Sequence, residues 1–173
     1  MKCYGNKHKF ALEFNDFNFG LFKCWINDND ICSYRINDNY YECHCHILNI
    51  REWFINNLEY IINESEFPLN IFANNSIDYY SVSGEFDSED LNKLYNWYSI
   101  RQEWFFRHSW YSCRTNEYIP NVFFRRTHNK IEISWDSTDL YNEIVFDNPK
   151  GIFYLDLKEF KQIVLRFISD GKS

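Results

Sequence analysis

The sequence contains little glycine and proline. Five glycines and three prolines are scattered over 173 residues. A flexible linker between domains is normally rich in such residues, so we expect a single domain over residues 1–173. The scarcity of glycine also argues against a loop that cradles phosphate groups, and no GxSxG, P-loop, GxGxxG or HExxH motif occurs. The sequence therefore predicts neither an enzyme nor a bound cofactor.

Long apolar runs are missing as well. No stretch approaches the ~20 apolar residues of a membrane-spanning helix. The segment Met1–Phe10, MKCYGNKHKF, is polar and basic and lacks the apolar region of a secretory signal. We therefore expect a protein of the bacterial cytoplasm that does not act at a membrane. Its six cysteines should be reduced and mostly buried rather than paired in disulfides.

Aromatic residues, by contrast, are abundant. They make up 21% of the chain, with 17 Phe, 13 Tyr and 6 Trp. Each buried aromatic side chain removes about 150–250 Å² from water. Disordered chains contain few aromatic residues, so this composition predicts a folded domain with a large core.

Strand patterns dominate the first part of the chain. Alternating apolar residues and Asn/Asp-rich turns predict an antiparallel meander. Its strands are expected at Lys9–Phe14, Gly20–Ile26, Ile31–Ile36 and Tyr40–Ile47.

Two helices are expected in the middle of the chain. Asn49 and Glu52 have the spacing of a capping box, and helical periodicity follows until Pro68. The segment Leu69–Ser83 is ambiguous between a short strand and irregular structure. A longer helix should begin after Asp87 or Ser88 and continue to about residue 111. Because it carries aromatic residues on more than one side, we expect it to be largely buried.

The last third returns to strands before a closing helix. Strands are predicted at Asn121–Arg126, Ile131–Trp135, Glu143–Phe146 and Ile152–Leu155. Asp156 and Glu159 mark the start of the final helix. An inward-pointing arginine in the first of these strands would need a carboxylate partner, for which Glu132 and Asp136 are candidates.

This order of elements predicts an α+β fold. Strands cluster at both ends of the chain, and they do not alternate with helices as in a parallel α/β sheet. We expect antiparallel sheets from the N- and C-terminal strands to pack against two central helices and a C-terminal helix.

Cys43-His44-Cys45-His46 is the segment most suggestive of chemistry, because both residue types bind zinc and activate nucleophiles. In a strand, however, Cys43 and Cys45 point to one face and His44 and His46 to the other. No second Cys or His pair has the spacing to complete a zinc site. We therefore favour a structural role and predict no metal ligands here, with a metal protein or thiol enzyme centred on residues 43–46 as the alternative.

The net charge is −7, from 18 Lys and Arg against 25 Asp and Glu. An acidic surface repels the phosphate backbone of nucleic acids and attracts basic proteins. Single acidic residues are usually just solvated, and carboxylate pairs such as Asp136 and Asp139 give only a weak signal for acid–base catalysis. Taken together, three clusters are candidates for binding a basic protein, namely Asp28, Asp30 and Asp38; Glu85, Asp87, Glu89 and Asp90; and Asp136, Asp139 and Glu143.

The second half of the chain resembles a group of small bacterial immunity proteins of polymorphic toxin systems, including contact-dependent growth inhibition. The resemblance lies in Tyr95–Trp104 (YNWYSIRQEW), in Tyr118–Trp135 (YIPNVFFRRTHNKIEISW) and in the closing segment Gly151–Ile168. It covers about half to two-thirds of the chain.

The resemblance implies a stoichiometric inhibitor that binds a cognate toxin domain, in many cases a basic nuclease. It supplies no catalytic residues, because immunity families share no catalytic motif. A scaffold or regulatory interaction domain without a toxin remains a further alternative.

Overall fold

The structure, a computed structural model, describes residues 1–170 and has an α+β architecture, as predicted. Within these residues all strand pairs are antiparallel. The strands are β1 (Lys2–Asn6), β2 (Phe10–Phe14), β3 (Phe19–Ile26), β4 (Asn29–Asp30), β5 (Tyr34–Ile36), β6 (Asn39–Tyr41), β7 (His44–His46), β8 (Val122–Thr127), β9 (Lys130–Asp136), β10 (Val145–Phe146) and β11 (Lys150–Asp156). The helices are α1 (Ile47–Asn63), α2 (Ser76–Ser83), α3 (Leu91–His108) and α4 (Leu157–Ser169), with a 3₁₀ turn at Trp110–Cys113.

The strands form three sheets. An N-terminal sheet has the order β1-β2-β3-β4, with β7 also paired to β3. A C-terminal sheet has the order β11-β9-β8. The third sheet, β10-β5-β6, contains strands from both ends of the sequence and therefore ties the two halves of the chain together.

The predicted N-terminal meander is only partly correct. The expected strand Ile31–Ile36 does not pair with β3. The two-residue strand β4 that does pair with β3 lies in the segment predicted as a turn, and β5 pairs with β10 and β6 instead. The expected strand Tyr40–Ile47 is split into β6 and β7, which belong to different sheets. Strand β1 was not predicted. It pairs with β2 along its full length, from Lys2 opposite Phe14 to Asn6 opposite Phe10.

The positions at which the helices begin differ from several predictions. Helix α1 begins directly after β7, and its N-cap His46 makes no side-chain cap bond, so the capping box at Asn49 was wrong. The ambiguous segment Leu69–Ser83 contains α2. Helix α3 is capped by Asp90 rather than by Asp87 or Ser88. The Asp90 carboxylate accepts backbone N–H bonds from the first turn, and this fixes the helix start two or three residues later than expected.

The C-terminal elements follow the sequence closely. A tight turn at His128 and Asn129 joins β8 to β9. The Asp156 side chain accepts N–H bonds from Lys158 and Glu159, as expected for the cap of α4. The apolar stripe predicted for α4 is buried at Phe160, Ile163, Val164 and Phe167.

One large aromatic core holds the two halves together. Phe124 of β8 contacts rings from the N-terminal sheet, from α1, from the 3₁₀ turn and from α4; these are Phe10, Trp53, Phe54, Trp110 and Phe160. A smaller cluster lies under α2 and the last turns of α3 and contains Phe67, Leu69, Trp104, Phe105 and Phe123. The prediction of a large aromatic core is confirmed.

A buried ion pair anchors α2 to the C-terminal sheet. The Arg125 guanidinium lies 2.7 Å from the Glu132 carboxylate, and the Glu132 side chain is almost fully buried. Glu132 also accepts the backbone N–H of Ser76, at the start of α2, at 2.7 Å. Of the two carboxylates proposed from the sequence as arginine partners, the structure selects Glu132; Asp136 pairs with Lys150 instead.

Removing one partner of this buried pair should be costly. We expect Glu132→Gln to lower the free energy of unfolding by about 3–5 kcal/mol, because the Arg125 charge would stay buried without its counter-charge. The matched control is Glu103→Gln, which removes an exposed carboxylate 3.9 Å from Arg107 and should cost less than about 1 kcal/mol. Urea denaturation measures both, and equal losses would contradict the assignment.

Candidate protein-binding surface

The four side chains of the Cys-His segment do not converge on one point. Cys43 and Cys45 are buried in the core, whereas His44 and His46 are exposed on the other face of β7. Within residues 1–170 no group of three or more His, Cys, Asp or Glu side chains could hold a metal ion. The divergence predicted from strand geometry is thus confirmed.

The thiols of this segment are poorly suited to nucleophilic chemistry. A hydrogen bond with Cys43 and burial together raise the pKa of Cys45 far above its ordinary value. Burial likewise raises the pKa of Cys24 and Cys32. A thiol reacts as the thiolate, so a raised pKa argues against the thiol-enzyme alternative.

A buried pair formed by His108 and the Glu64 carboxylate was not predicted from the sequence. His108 of α3 is fully buried, and its Nδ1 lies 2.8 Å from the carbonyl oxygen of Phe124. Its Nε2 lies 2.8 Å from a carboxylate oxygen of Glu64, and this hydrogen bond is the main cause of a lowered Glu64 pKa. Both ring nitrogens are occupied within the protein, so the pair ties α3 to the end of α1 and to β8 and offers no free nitrogen to a substrate.

The first predicted acidic cluster does not form a common surface. Asp28 is exposed and pairs with His8 at 2.6 Å, and Asp38 is exposed in the turn between β5 and β6. Asp30, however, is buried, with only 9% of its surface exposed. It is therefore not available as a surface charge, and its assignment to a binding site was wrong.

The buried Asp30 carboxylate has hydrogen-bond partners for only one of its two oxygens. One oxygen accepts the backbone N–H of Cys32 at 3.0 Å, while Oδ2 has no hydrogen-bond partner within residues 1–170. Burial raises the pKa of Asp30 to about 6, and only part of that rise is offset by the Cys32 bond and the nearby Lys23.

The third acidic cluster is partly engaged by the fold. Asp136 pairs with Lys150 at 3.3 Å and accepts the backbone N–H of Thr138. Asp139 and Glu143 are exposed in the segment between β9 and β10. They provide two exposed charges, and Glu143 lines a groove of about 400 Å³ together with Tyr118 and Tyr141.

The second acidic cluster is fully exposed. Glu85, Asp87, Glu89 and Asp90 all lie at the surface of the loop that joins α2 to α3. This loop, which we call the acidic loop (residues 84–90), is held against α3 by aromatic side chains. The Phe86 ring stacks on Trp97 at 4.1 Å, and the single proton of the Tyr98 hydroxyl is shared by the carbonyl oxygens of Gly84 and Phe86, at 2.8 and 3.0 Å from the hydroxyl oxygen.

An unpartnered apolar face lies directly beside the acidic loop. Helix α3 was expected to be largely buried, but only its last turns contain buried residues, Trp104, Phe105 and His108. The preceding part extends past the core and exposes Leu91 and Tyr95, by 75% and 79% respectively, and Phe106 nearer its end, by 50%. A groove of about 670 Å³ runs along this face and is lined by Leu91, Leu94, Tyr95, Tyr98, Ser99, Gln102, Glu103 and Phe106.

We call this surface the α3 face. Its lining residues all come from one helix and recur at the three- and four-residue intervals that place side chains on one side of it. The spacing was visible in the sequence, but the sequence alone gave no means of telling an exposed apolar stripe from a buried one. The acidic loop and the α3 face together form the candidate protein-binding surface.

Burial of the cysteines leads to a simple labelling result. At pH 8 we expect a thiol reagent to modify the exposed Cys3 faster than the other five cysteines in the folded protein, although burial raises the pKa of Cys3 too, and to modify all six after denaturation. Cys3→Ser should abolish the fast reaction. Fast labelling of Cys43 or Cys45 would instead reopen the thiol-enzyme alternative.

The buried Asp30 leads to a pH-dependent stability. Its pKa rises from an ordinary value of 3.8 to about 6 on folding, so the folded state holds the proton more tightly. The contribution of Asp30 to the free energy of unfolding therefore falls as the pH rises from about 4 through 6, by at most about 3 kcal/mol. Asp30→Asn should remove this loss and gain stability relative to the native protein over that range, as measured by urea denaturation. The exposed control Asp38→Asn should not, and parallel pH profiles for Asp30→Asn and the native protein would contradict the prediction.

None of the helices within residues 1–170 has the length and apolarity needed to cross a lipid bilayer. Comparisons with protein-family models, with curated proteins and with solved structures returned no match. What the chain does must therefore be inferred from its own residues.

Proposed function

We propose that this protein is an immunity protein that binds and neutralises a cognate toxin domain of a contact-dependent growth inhibition or related polymorphic toxin system. It acts in the bacterial cytoplasm as a stoichiometric inhibitor and has no catalytic activity of its own. The toxin domain is basic, and a nuclease is the leading candidate. The resemblance of the second half of the chain and the net charge of −7 both support this proposal.

The observation that carries the proposal is the position of the acidic loop next to the α3 face. Exposed carboxylates attract a cationic partner over long distances and speed its encounter. Desolvated aromatic and aliphatic anchors supply most of the affinity once the partner is in contact. Carboxylates and apolar anchors occur in neighbouring segments here. Glu85, Asp87 and Glu89 lie in the loop that leads into α3, and the first turns of α3 expose Leu91 and Tyr95.

If the toxin domain is a basic nuclease, the acidic docking surface can also compete with its substrate. Such an enzyme must hold a polyanionic substrate on a cationic surface. A protein whose docking surface is itself anionic complements that same cationic surface and would compete with the nucleic acid for it. Neutralisation then needs only a tight complex and no chemical step.

Charge reversal in the acidic loop should slow association. We expect Glu85→Lys, Asp87→Lys and Glu89→Lys together to reduce the association rate constant with the cognate toxin domain about 10-fold or more at low salt, with a smaller change in dissociation. Asp90 is left intact because its carboxylate caps α3. Stopped-flow kinetics with the toxin domain encoded beside this protein's gene provides the measurement.

The matched control reverses three exposed glutamates outside the three acidic clusters, Glu52, Glu59 and Glu66, and so has the same net charge. Equal slowing in both triple variants would show that net charge, not the acidic loop, matters. Unchanged kinetics in the loop variant would rule out electrostatic recognition by this cluster. If the native protein neither forms a complex with the toxin domain nor rescues cells that express it, the immunity function is wrong.

A further inference from the structure

The α3 face has a periodicity that specifies what kind of element can cover it. Leu91, Tyr95, Tyr98, Gln102 and Phe106 follow one another at steps of three or four residues along the groove. Every residue that lines the groove is exposed or half-buried. Such a row forms ridges and grooves that match those of another helix packed at about 8–10 Å.

A strand is a poor occupant of this surface. An added strand gains its affinity from main-chain hydrogen bonds to an exposed sheet edge. The α3 face belongs to a helix whose backbone groups are already bonded within the helix, so it offers side chains only. A helix, which satisfies its own backbone, needs nothing else from the surface that it covers.

The charges around the row specify the partner further. Between Gly84 and Phe106 the chain carries five carboxylates and two basic side chains. One of the two, Arg101, is directed away from a partner, because its guanidinium lies 3.6 Å from the Tyr80 ring and donates to the carbonyl oxygen of Tyr80. Four of the five carboxylates lie in the acidic loop, which contacts Trp97 and Tyr98 of α3, and the fifth, Glu103, lines the groove itself.

The length of the groove sets the length of the occupant. Leu91 and Phe106 are 15 residues apart, which corresponds to about 22 Å along the helix. A partner helix of about four turns would cover this distance.

From these observations we propose that the α3 face binds an amphipathic helix of the toxin domain, about 15 residues long, with an apolar stripe against α3 and Lys or Arg side chains against the acidic loop. This inference rests on the proposed function, since it names the element that the toxin presents. It commits to a basic helix, not to a second copy of this chain, because two facing copies would each add the four carboxylates of an acidic loop to the same interface.

The test uses a model peptide rather than the toxin, so that its outcome is independent of the immunity function. The probe is a 15-residue peptide of Leu and Lys with leucines at helical spacing, titrated into the full-length protein by calorimetry, with helicity followed by circular dichroism. Two peptides serve as controls, one of the same composition in scrambled order and one with Glu in place of Lys. We expect one-to-one binding of the amphipathic basic peptide, with induced helicity, at least 10-fold tighter than either control.

Variants then locate the site. Leu91→Asp with Tyr95→Asp should weaken binding of the basic peptide at least 10-fold, and both positions are exposed enough for the fold to tolerate the changes. The control is Val145→Asp, at a position 67% exposed on β10 in the third sheet. The inference is overturned if the double variant binds the basic peptide as tightly as the native protein does. It is also overturned if the native protein binds the scrambled peptide as tightly as the amphipathic one. So does a concentration-dependent dimer that Leu91→Asp with Tyr95→Asp dissociates, because the occupant would then be a second copy.

The two proposals fail in different ways. A peptide that does not bind, combined with a toxin domain that does, removes the helix inference and leaves the immunity function standing. A peptide that binds at the α3 face, combined with a toxin domain that does not, removes the immunity function and leaves a surface selective for basic helices.

Discussion

The packing of aromatic rings around Phe124 is the interaction on which the rest of the structure depends. This one side chain of β8 touches rings from β2, α1, the 3₁₀ turn and α4. It therefore joins the N-terminal sheet to the C-terminal sheet through a core that neither half could complete. The third sheet, in which β10 pairs with β5, repeats the same connection at the surface. Burial of such large side chains provides the main driving force for folding.

That core also decides what remains outside it. The last turns of α3 are held inward by Trp104, Phe105 and the buried His108, and the first turns then project beyond the covered area. Trp97, Tyr98 and Arg101 use their polar atoms to fix the segment Tyr80–Phe86, and Trp97 and Ile100 also pack against the smaller aromatic cluster. The result is an exposed apolar row on the other side of α3, with the carboxylates of the acidic loop close to it. Large apolar patches on a protein surface commonly mark interaction sites, and this one is the basis of the proposed toxin-binding surface.

The acidic residues illustrate how burial separates side chains that look equivalent in the sequence. Asp28, Asp30 and Asp38 stand close together in the chain and have the same chemistry. In the fold, Asp30 is buried with a raised pKa, Asp28 pairs with a histidine, and Asp38 lies in another turn. Glu85 to Asp90, in contrast, share one loop, and that loop lies against a single helix. Local sequence fixes the spacing of charges, but only long-range packing decides whether they face solvent together.

The sequence by itself determined the fold class, the α4 cap and stripe, the β8–β9 hairpin with its inward arginine, and the divergence of the Cys-His side chains. Each of these depends on short-range geometry, such as strand alternation or the capping of a first turn. Only the tertiary structure decided that β5 leaves the meander for β10, that α2 forms, that His108 meets Glu64, and that the apolar residues of α3 are exposed. These depend on contacts between residues far apart in the chain, and helical periodicity is the same whether the apolar face of a helix is covered by its own chain or left for a partner.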